Sequence, residues 1–287
     1  MSDRWRSWLP AFLFGEPRPV VTVLRLVGPI GAAGRFRPGL NLAGVAKQIE
    51  QAFAVKGVTA VALAINSPGG SPVQSALIMK RIRDLAAEKD IPVLAFTEDI
   101  AASGGYMLAL AGDEIFAHEA SIVGSIGVIS GGFGFPDALK KLGVERRLYT
   151  AGENKARLDP FSPEKEEDVA WLRDLQEEIH EIFKKLVRER RGRRLRGVRA
   201  KLFSGDVWIG AEAQKVGLID GVGDMRAVLR ERFGDKVRLR VVAQRRPRLA
   251  SLFGMTRDTD DDAAAIGWGA QFLAAIEARL MWSRFGL

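Results

Sequence analysis

The strongest constraint on this chain lies between Val20 and Asp113, where continuously apolar, β-branched runs alternate with helical segments: PVVTVLRLVG, NLAGVAKQIEQAFAVK, VTAVALAIN, PVQSALIMKRIRDLAAEKD and IPVLAFT. A run such as VTAVALAI keeps no polar face for water, so it reads as a strand covered on both sides. The segments between the runs are long enough for helical crossovers, which parallel strands require. The reading is an α/β fold, layered parallel β-sheet with flanking helices.

Further along, SIVGSIGVIS (121–130) and RRLYT (146–150) read as strands. Pro163 opens a long polar helix to about Arg191, acidic in its first turns and basic in its last as the helix dipole favours, which reads as a surface arm. GAEAQKVGLID (210–220) is a helix stopped at Gly217 and followed by a short apolar strand. The chain divides into an N-terminal apolar segment (1–19), a core domain (20–245) containing the arm (163–191), and a linker with a C-terminal helix (246–287).

In that last part the acidic run 258–262 marks the linker, and Trp268, Phe272, Ile276 and Leu280 share one face of an amphipathic helix. Its Gln271, Glu277 and Arg279 make it a poor membrane span, so the apolar face suits docking on the protein, on another subunit or on a membrane surface. The N-terminal WRSWLPAFLF is broken by Pro10, falls far short of the roughly 20 residues that span a bilayer, and lacks the pattern of a secretion signal. The expected location is cytoplasmic, with possible peripheral contact at the inner membrane.

The chain holds no cysteine and two histidines, His118 and His180. That excludes disulfides, thiolate nucleophiles and His-rich metal centres, and leaves a Ser-His-Asp triad only two bases to choose from. His118, in FAHEAS, reads as structural, and His180, inside the charged helix, as a solvated face residue. The 43 Lys and Arg against 35 Asp and Glu give a net charge of +8, concentrated in 188–201 and 238–248. No aromatic interleaving or helix-turn-helix pattern accompanies these runs, so they read as solvated faces or anionic membrane contacts, with no nucleic acid as partner.

Two loops can carry chemistry. INSPGGS (65–71) joins a buried strand to a helix that begins at Pro72. Its paired glycines allow a sharp turn and close approach, so the N–H groups of Gly69 and Gly70 can face an oxyanion; the other reading is a plain strand-to-helix turn. IAASGGY (100–106) places Ser103 at a helix start, with the Gly104 N–H free, where it is either an exposed nucleophile or an N-cap. Both loops end parallel strands at one edge of the sheet, where α/β folds bind ligands. A serine needs a base, and a lysine serves if burial leaves it neutral. Lys155, in TAGENKARLDPF, is either that base or a surface lysine.

INSPGG, AASGGY, GSIGV (124–128), AGENKARLDPF and FSGDVWIGAEAQKVGLIDGVG (203–223) together, in this order, resemble the signal-peptide-peptidase A family of serine peptidases, over roughly Val20 to Phe233. The resemblance implies a crotonase-like and Clp-like fold, no cofactor, and a Ser-Lys dyad with Ser103 as nucleophile and Lys155 as general base. By position, Gly70 and Gly104 supply oxyanion N–H groups, Gly69 shapes the turn and Ser125 orients the lysine. It further implies peptide or unfolded-protein substrates, such as cleaved signal peptides, and a homo-oligomeric ring in which one subunit's lysine completes a neighbour's site. Two rivals stand beside it: a crotonase-type enzyme acting on a coenzyme A thioester, for which neither loop offers the carboxylate, and a catalytically silent scaffold.

Overall fold

The computed structural model describes residues 18–31 and 39–242, together with Trp282, Ser283 and Phe285. The N-terminal apolar segment up to residue 17, the acidic run 258–262 and, but for Trp282, the amphipathic helix expected from Ala263 lie outside the described residues.

The alternating runs form the expected units: β1 (Val20–Val27), α1 (Leu42–Ala54), β2 (Val58–Ser67), α2 (Pro72–Lys89), β3 (Val93–Ala102) and α3 (Gly104–Ala109). β4 (Glu114–Ala117) and β5 (Ile122–Gly124) follow, then α4 (Pro136–Lys141), α5 (Glu166–Arg191) and α6 (Arg199–Leu202). β6 (Val207–Ile209), α7 (Gly210–Lys215), β7 (Gly221–Val222), α8 (Met225–Phe233) and β8 (Arg238–Val241) complete the described core. They make one eight-stranded sheet in the order β6-β5-β3-β2-β1-β8, with β4 pairing β3 and β7. All pairings are parallel except β5 with β6.

The continuous apolar runs are explained by burial on both faces. Leu24 and Leu26 of β1, Val61, Leu63 and Ile65 of β2, and Val93 and Ala95 of β3 face a core shared with Ile49 and Phe53 of α1 and Ile78 and Ile82 of α2. The alternate residues Val21, Val23, Ala60, Ala62, Ala64, Leu94 and Phe96 pack with Leu229 of α8 on the other face. The alanines there leave room for the short α8, and Phe96 stacks on Phe116 at 5.4 Å between centroids.

Two expected strands change. SIVGSIGVIS is a strand only over Ile122–Gly124, because Ser125 turns back with φ 50°. RRLYT is not a strand: residues 145–150 carry no regular structure and all are exposed, so the apolar Leu148 and Tyr149 find no layer to enter. The short strand after Gly217 is displaced to Gly221–Val222.

α5 begins at Glu166 and is more than a solvated arm. Its second half docks on the core through Phe183 and Val187, and ends on Arg191, which is 2% exposed. Arg191 Nε donates to the Gly217 carbonyl at 2.8 Å, and its two terminal nitrogens reach the Asp220 carboxylate at 2.7 and 3.1 Å. Asp220 also accepts from the Ile115 N–H, so this pair joins α5 to β4. Beside it the buried Tyr106 hydroxyl donates to the Leu218 carbonyl at 2.7 Å.

Arg191→Ala leaves the Asp220 carboxylate with the Ile115 N–H and the partly exposed Arg194 at 3.5 Å, and is expected to cost about 3 kcal/mol in urea unfolding, the low end of the range for breaking a buried ion pair from one side. Burial, then the opposed fields of Arg191 and Asp220, pushes the Tyr106 phenol far above its ordinary 10.0. Its folded pKa is raised, so its contribution to stability is complete below pH 10 and is lost as the pH rises beyond that value. In a Tyr149→Phe background, tyrosinate absorbance is expected only as the fold is lost.

Candidate active site

β2 and β3 lie side by side, and their register brings the two loops together. Ile65 pairs Thr97, but after an irregularity Ser67 pairs Ala101. Continuing that register sets Gly69 opposite Ser103, and the contact bears this out: a Cβ on Gly69 would lie 2.8 Å from Ser103 Cβ and 2.9 Å from Gly104 N. With φ at +103°, Gly69 occupies a place no side chain fits.

Ser103 sits at the junction of β3 and α3 with φ 52° and ψ −121°, a conformation that costs a non-glycine residue about 1–3 kcal/mol. It stands at the N-cap position of α3, but its side chain makes no capping hydrogen bond. Its backbone is held from both sides, with its N–H donating to the Gly124 carbonyl at 2.8 Å and its carbonyl accepting from Tyr106 and Met107. The strain therefore sits in a fixed backbone at the start of α3, with the hydroxyl unbonded among the described residues.

The Gly70 turn is clamped by Ile30, whose N–H donates to the Gly69 carbonyl and whose carbonyl accepts from Ser71. A Cβ on Gly70 would fall 2.1 Å from that carbonyl oxygen. The N–H groups of Gly70 and Gly104 take no partner among the described residues, and Gly70 N lies 3.4 Å from where a Gly104 Cβ would stand. Two donors thus converge beside Ser103. The Gly69 N–H is not a third one, since it donates to Ser67 Oγ at 3.3 Å.

Ser125, 6% exposed, stands at the end of β5 with φ 50°, next to the Gly124 carbonyl that holds Ser103. Behind it, His180 Nε2 lies 3.0 Å from the Ile126 carbonyl, with 17% of the side chain exposed. His180 is therefore a packed residue that pins this turn, where the sequence suggested a solvated one. Charge density alone hid it, because α5 buries one stripe of an otherwise ionic helix. His118 is exposed, its Nδ1 accepts from the Ala120 N–H, and neither histidine bonds Ser103.

Lys155 is exposed, and among the described residues its ammonium has no hydrogen-bond or ion-pair partner, Ser103 included. Its loop is nonetheless fixed. Arg146 binds Asp159 and stacks over Phe161, while Arg157 pairs with Asp168 at 3.3 Å and lies over Trp171. The Arg146 guanidinium, and after it the Ser162 hydroxyl, hold the Asp159 carboxyl below its ordinary range. The nearby acid is thus engaged by an arginine, which leaves the lysine unpaired. Among the described residues, no group of three or more His, Cys, Asp or Glu side chains is placed to hold a metal ion.

These features define an α/β protein with a strained serine turn set against a glycine turn that offers free N–H groups. The model of peptidase family S49 matches residues 86–236, more than half of the chain, and the chain belongs to that family. It is 53% identical over 272 residues to a Brucella abortus protein named Na(+)/H(+) antiporter NhaA, covering 93% of this chain and 37% of that protein. It is 30% identical over 223 residues to protease 4 of Haemophilus influenzae, covering 77% of this chain and 35% of that protein. The chloroplastic serine protease SPPA of Arabidopsis thaliana is 28% identical over 205 residues, 71% of this chain and 29% of that one. The chain thus spans well under two thirds of the length of these relatives. Transport is said only of the Brucella protein; the family matched here is one of peptidases, and no helix among the described residues is long and apolar enough to cross a membrane.

Stability separates the two kinds of site residue. Gly69→Ala is expected to lower the urea midpoint by the equivalent of about 1–3 kcal/mol, from its positive φ and the clash with Ser103. Lys155→Ala, on an exposed side chain without partners, is expected to stay within about 0.5 kcal/mol of the parent.

Proposed function

We propose that this chain is a serine endopeptidase working through a Ser103–Lys155 dyad on extended apolar peptides, such as cleaved signal peptides or unfolded membrane-associated proteins. The observation that carries the reading is the strained, unbonded Ser103 set against the free N–H groups of Gly70 and Gly104. Ser103 Oγ attacks the peptide carbonyl while neutral Lys155 takes its proton. The carbonyl oxygen becomes an oxyanion held by the Gly70 and Gly104 N–H groups. Collapse breaks the C–N bond, the leaving amine takes the proton from Lys155, and an acyl-serine remains. Water, losing a proton to Lys155, attacks the ester and releases the acid, and the proton returns to Ser103. Ser125, beside the turn, orients the lysine.

A base lysine must be neutral, and an exposed one is not desolvated. That need supports a homo-oligomeric ring in which Lys155 of one subunit enters the site of another. The segment that carries it exposes Ile129 by 75%, Leu142 by 75% and Tyr149 by 88%, more apolar surface in one stretch than water favours. The same reading keeps the chain off nucleic acid and leaves peripheral membrane contact to the basic runs.

Wild type is expected to cleave an extended apolar peptide with a rate that rises as a lysine deprotonates. Ser103→Ala and Lys155→Ala are each expected to lose on the order of 10⁴-fold or more in kcat, as members of one catalytic unit do. Co-refolding the two variants is expected to restore part of the activity, because mixed neighbours rebuild intact sites. An inert wild type, or either variant at full activity, contradicts the dyad and favours the scaffold.

A further inference from the structure

We infer that Ser67 is a positioning residue of the oxyanion site, acting through the Gly69–Gly70 turn. The inference rests on the peptidase reading above. Ser67 ends β2, is fully buried, and its hydroxyl joins two backbone groups, one just past the end of β1 and one in the turn after β2. Ser67 Oγ lies 2.7 Å from the Gly28 carbonyl and 3.3 Å from the Gly69 N–H. A carbonyl only accepts and an N–H only donates, so the single hydroxyl proton goes to Gly28 and a lone pair takes the Gly69 proton. The direction of both bonds is fixed without reference to any tautomer or rotor.

This arrangement decides which N–H groups remain for a substrate. With Gly69 engaged by Ser67, and Ile30 clamping the Gly69 carbonyl and Ser71 N–H, Gly70 N–H is the turn's donor left without a partner. Ser67 also governs the other side of the site. A Cβ on Gly105 would lie 2.3 Å from the Ser67 carbonyl oxygen and 3.2 Å from its Cβ, so the first turn of α3, which presents the Gly104 N–H, rests directly on Ser67. One buried residue thus sets the distance between the two donors. An oxyanion hole depends on donors fixed before the charge develops, and a misplacement of about 1 Å costs on the order of 100-fold.

Removing the hydroxyl frees the Gly69 N–H to compete for a carbonyl and lets the Gly70 turn drift. The loss falls on the tetrahedral state and spares the ground state. The test compares wild type, Ser67→Ala and Ser67→Cys, the last putting a larger, weakly hydrogen-bonding sulfur in the hydroxyl's place. Three quantities are measured: kcat and KM on an extended apolar peptide, the inhibition constant of the matching peptide aldehyde, and the Kd of the uncleaved peptide on Ser103→Ala with and without Ser67→Ala. The aldehyde forms a hemiacetal on Ser103 whose oxygen occupies the oxyanion position.

Both Ser67 variants are expected to lose roughly 100-fold in kcat and a similar factor in aldehyde affinity, with KM and the ground-state Kd within about twofold. The thermal midpoint of each variant is read alongside, and the variant whose midpoint stays near wild type decides the matter. A variant with kcat within about twofold of wild type, or one whose ground-state affinity falls as far as its aldehyde affinity, overturns the inference. A wild type that neither cleaves the peptide nor binds the aldehyde overturns the peptidase reading itself, and this inference with it.

Discussion

The site depends on the parallel pairing of β2 with β3. Both strands are buried on both faces, so neither can slip by one residue without turning its apolar set toward the wrong layer. The register is shifted once, between Ile65 and Ser67, and β3 gains length where it exchanges β4 for β5 as its neighbour. That shift carries Ser103 level with Gly69. Had the register run on from the Ile65–Thr97 pair, the glycine turn would face Ala101 and the serine would stand beyond its reach.

Around that pairing the structure spends its close contacts on backbone. Gly69 touches Ser103, Gly70 touches Ile30 and Gly105 touches Ser67, each at a distance that admits no side chain. Such packing holds two N–H groups in place without partners, which a flexible loop would not do, since free donors in a mobile chain find carbonyls. The strained Ser103 is tolerated because β5 accepts its N–H and the Tyr106 and Met107 N–H groups of α3 hold its carbonyl. α5, bolted down by Arg191 and Asp220, completes the support through His180 and the Ile126 carbonyl.

Much of this was legible in the sequence because it is written in local chemistry. Continuous apolar runs named the parallel strands, and the glycines beside Ser67 and Ser103 named the turns at their ends. What stayed hidden depends on three-dimensional neighbours. RRLYT has the composition of a strand but no sheet edge to join, and His180 sits in an ionic helix yet faces the one stripe that docks. The loop pattern alone offered Gly69 and Gly70 alike as donors, and the position of Ser67 Oγ gives the physical reason that their roles differ. Lys155 is the instructive case. Sequence gave it either an exposed or a catalytic reading, and in the single chain it is exposed, on a loop fixed by Arg146 and Arg157. The two readings are compatible if a neighbouring subunit provides the burial.

The central claim is that Ser103 is the nucleophile. The most direct measurement is mass spectrometry of the full chain after reaction with a fluorophosphonate, followed by peptide mapping of the adduct. The account expects a single stoichiometric adduct on Ser103, abolished when Lys155 is replaced. Labelling at any other serine, or an unlabelled Ser103 in folded and assembled protein, would contradict it.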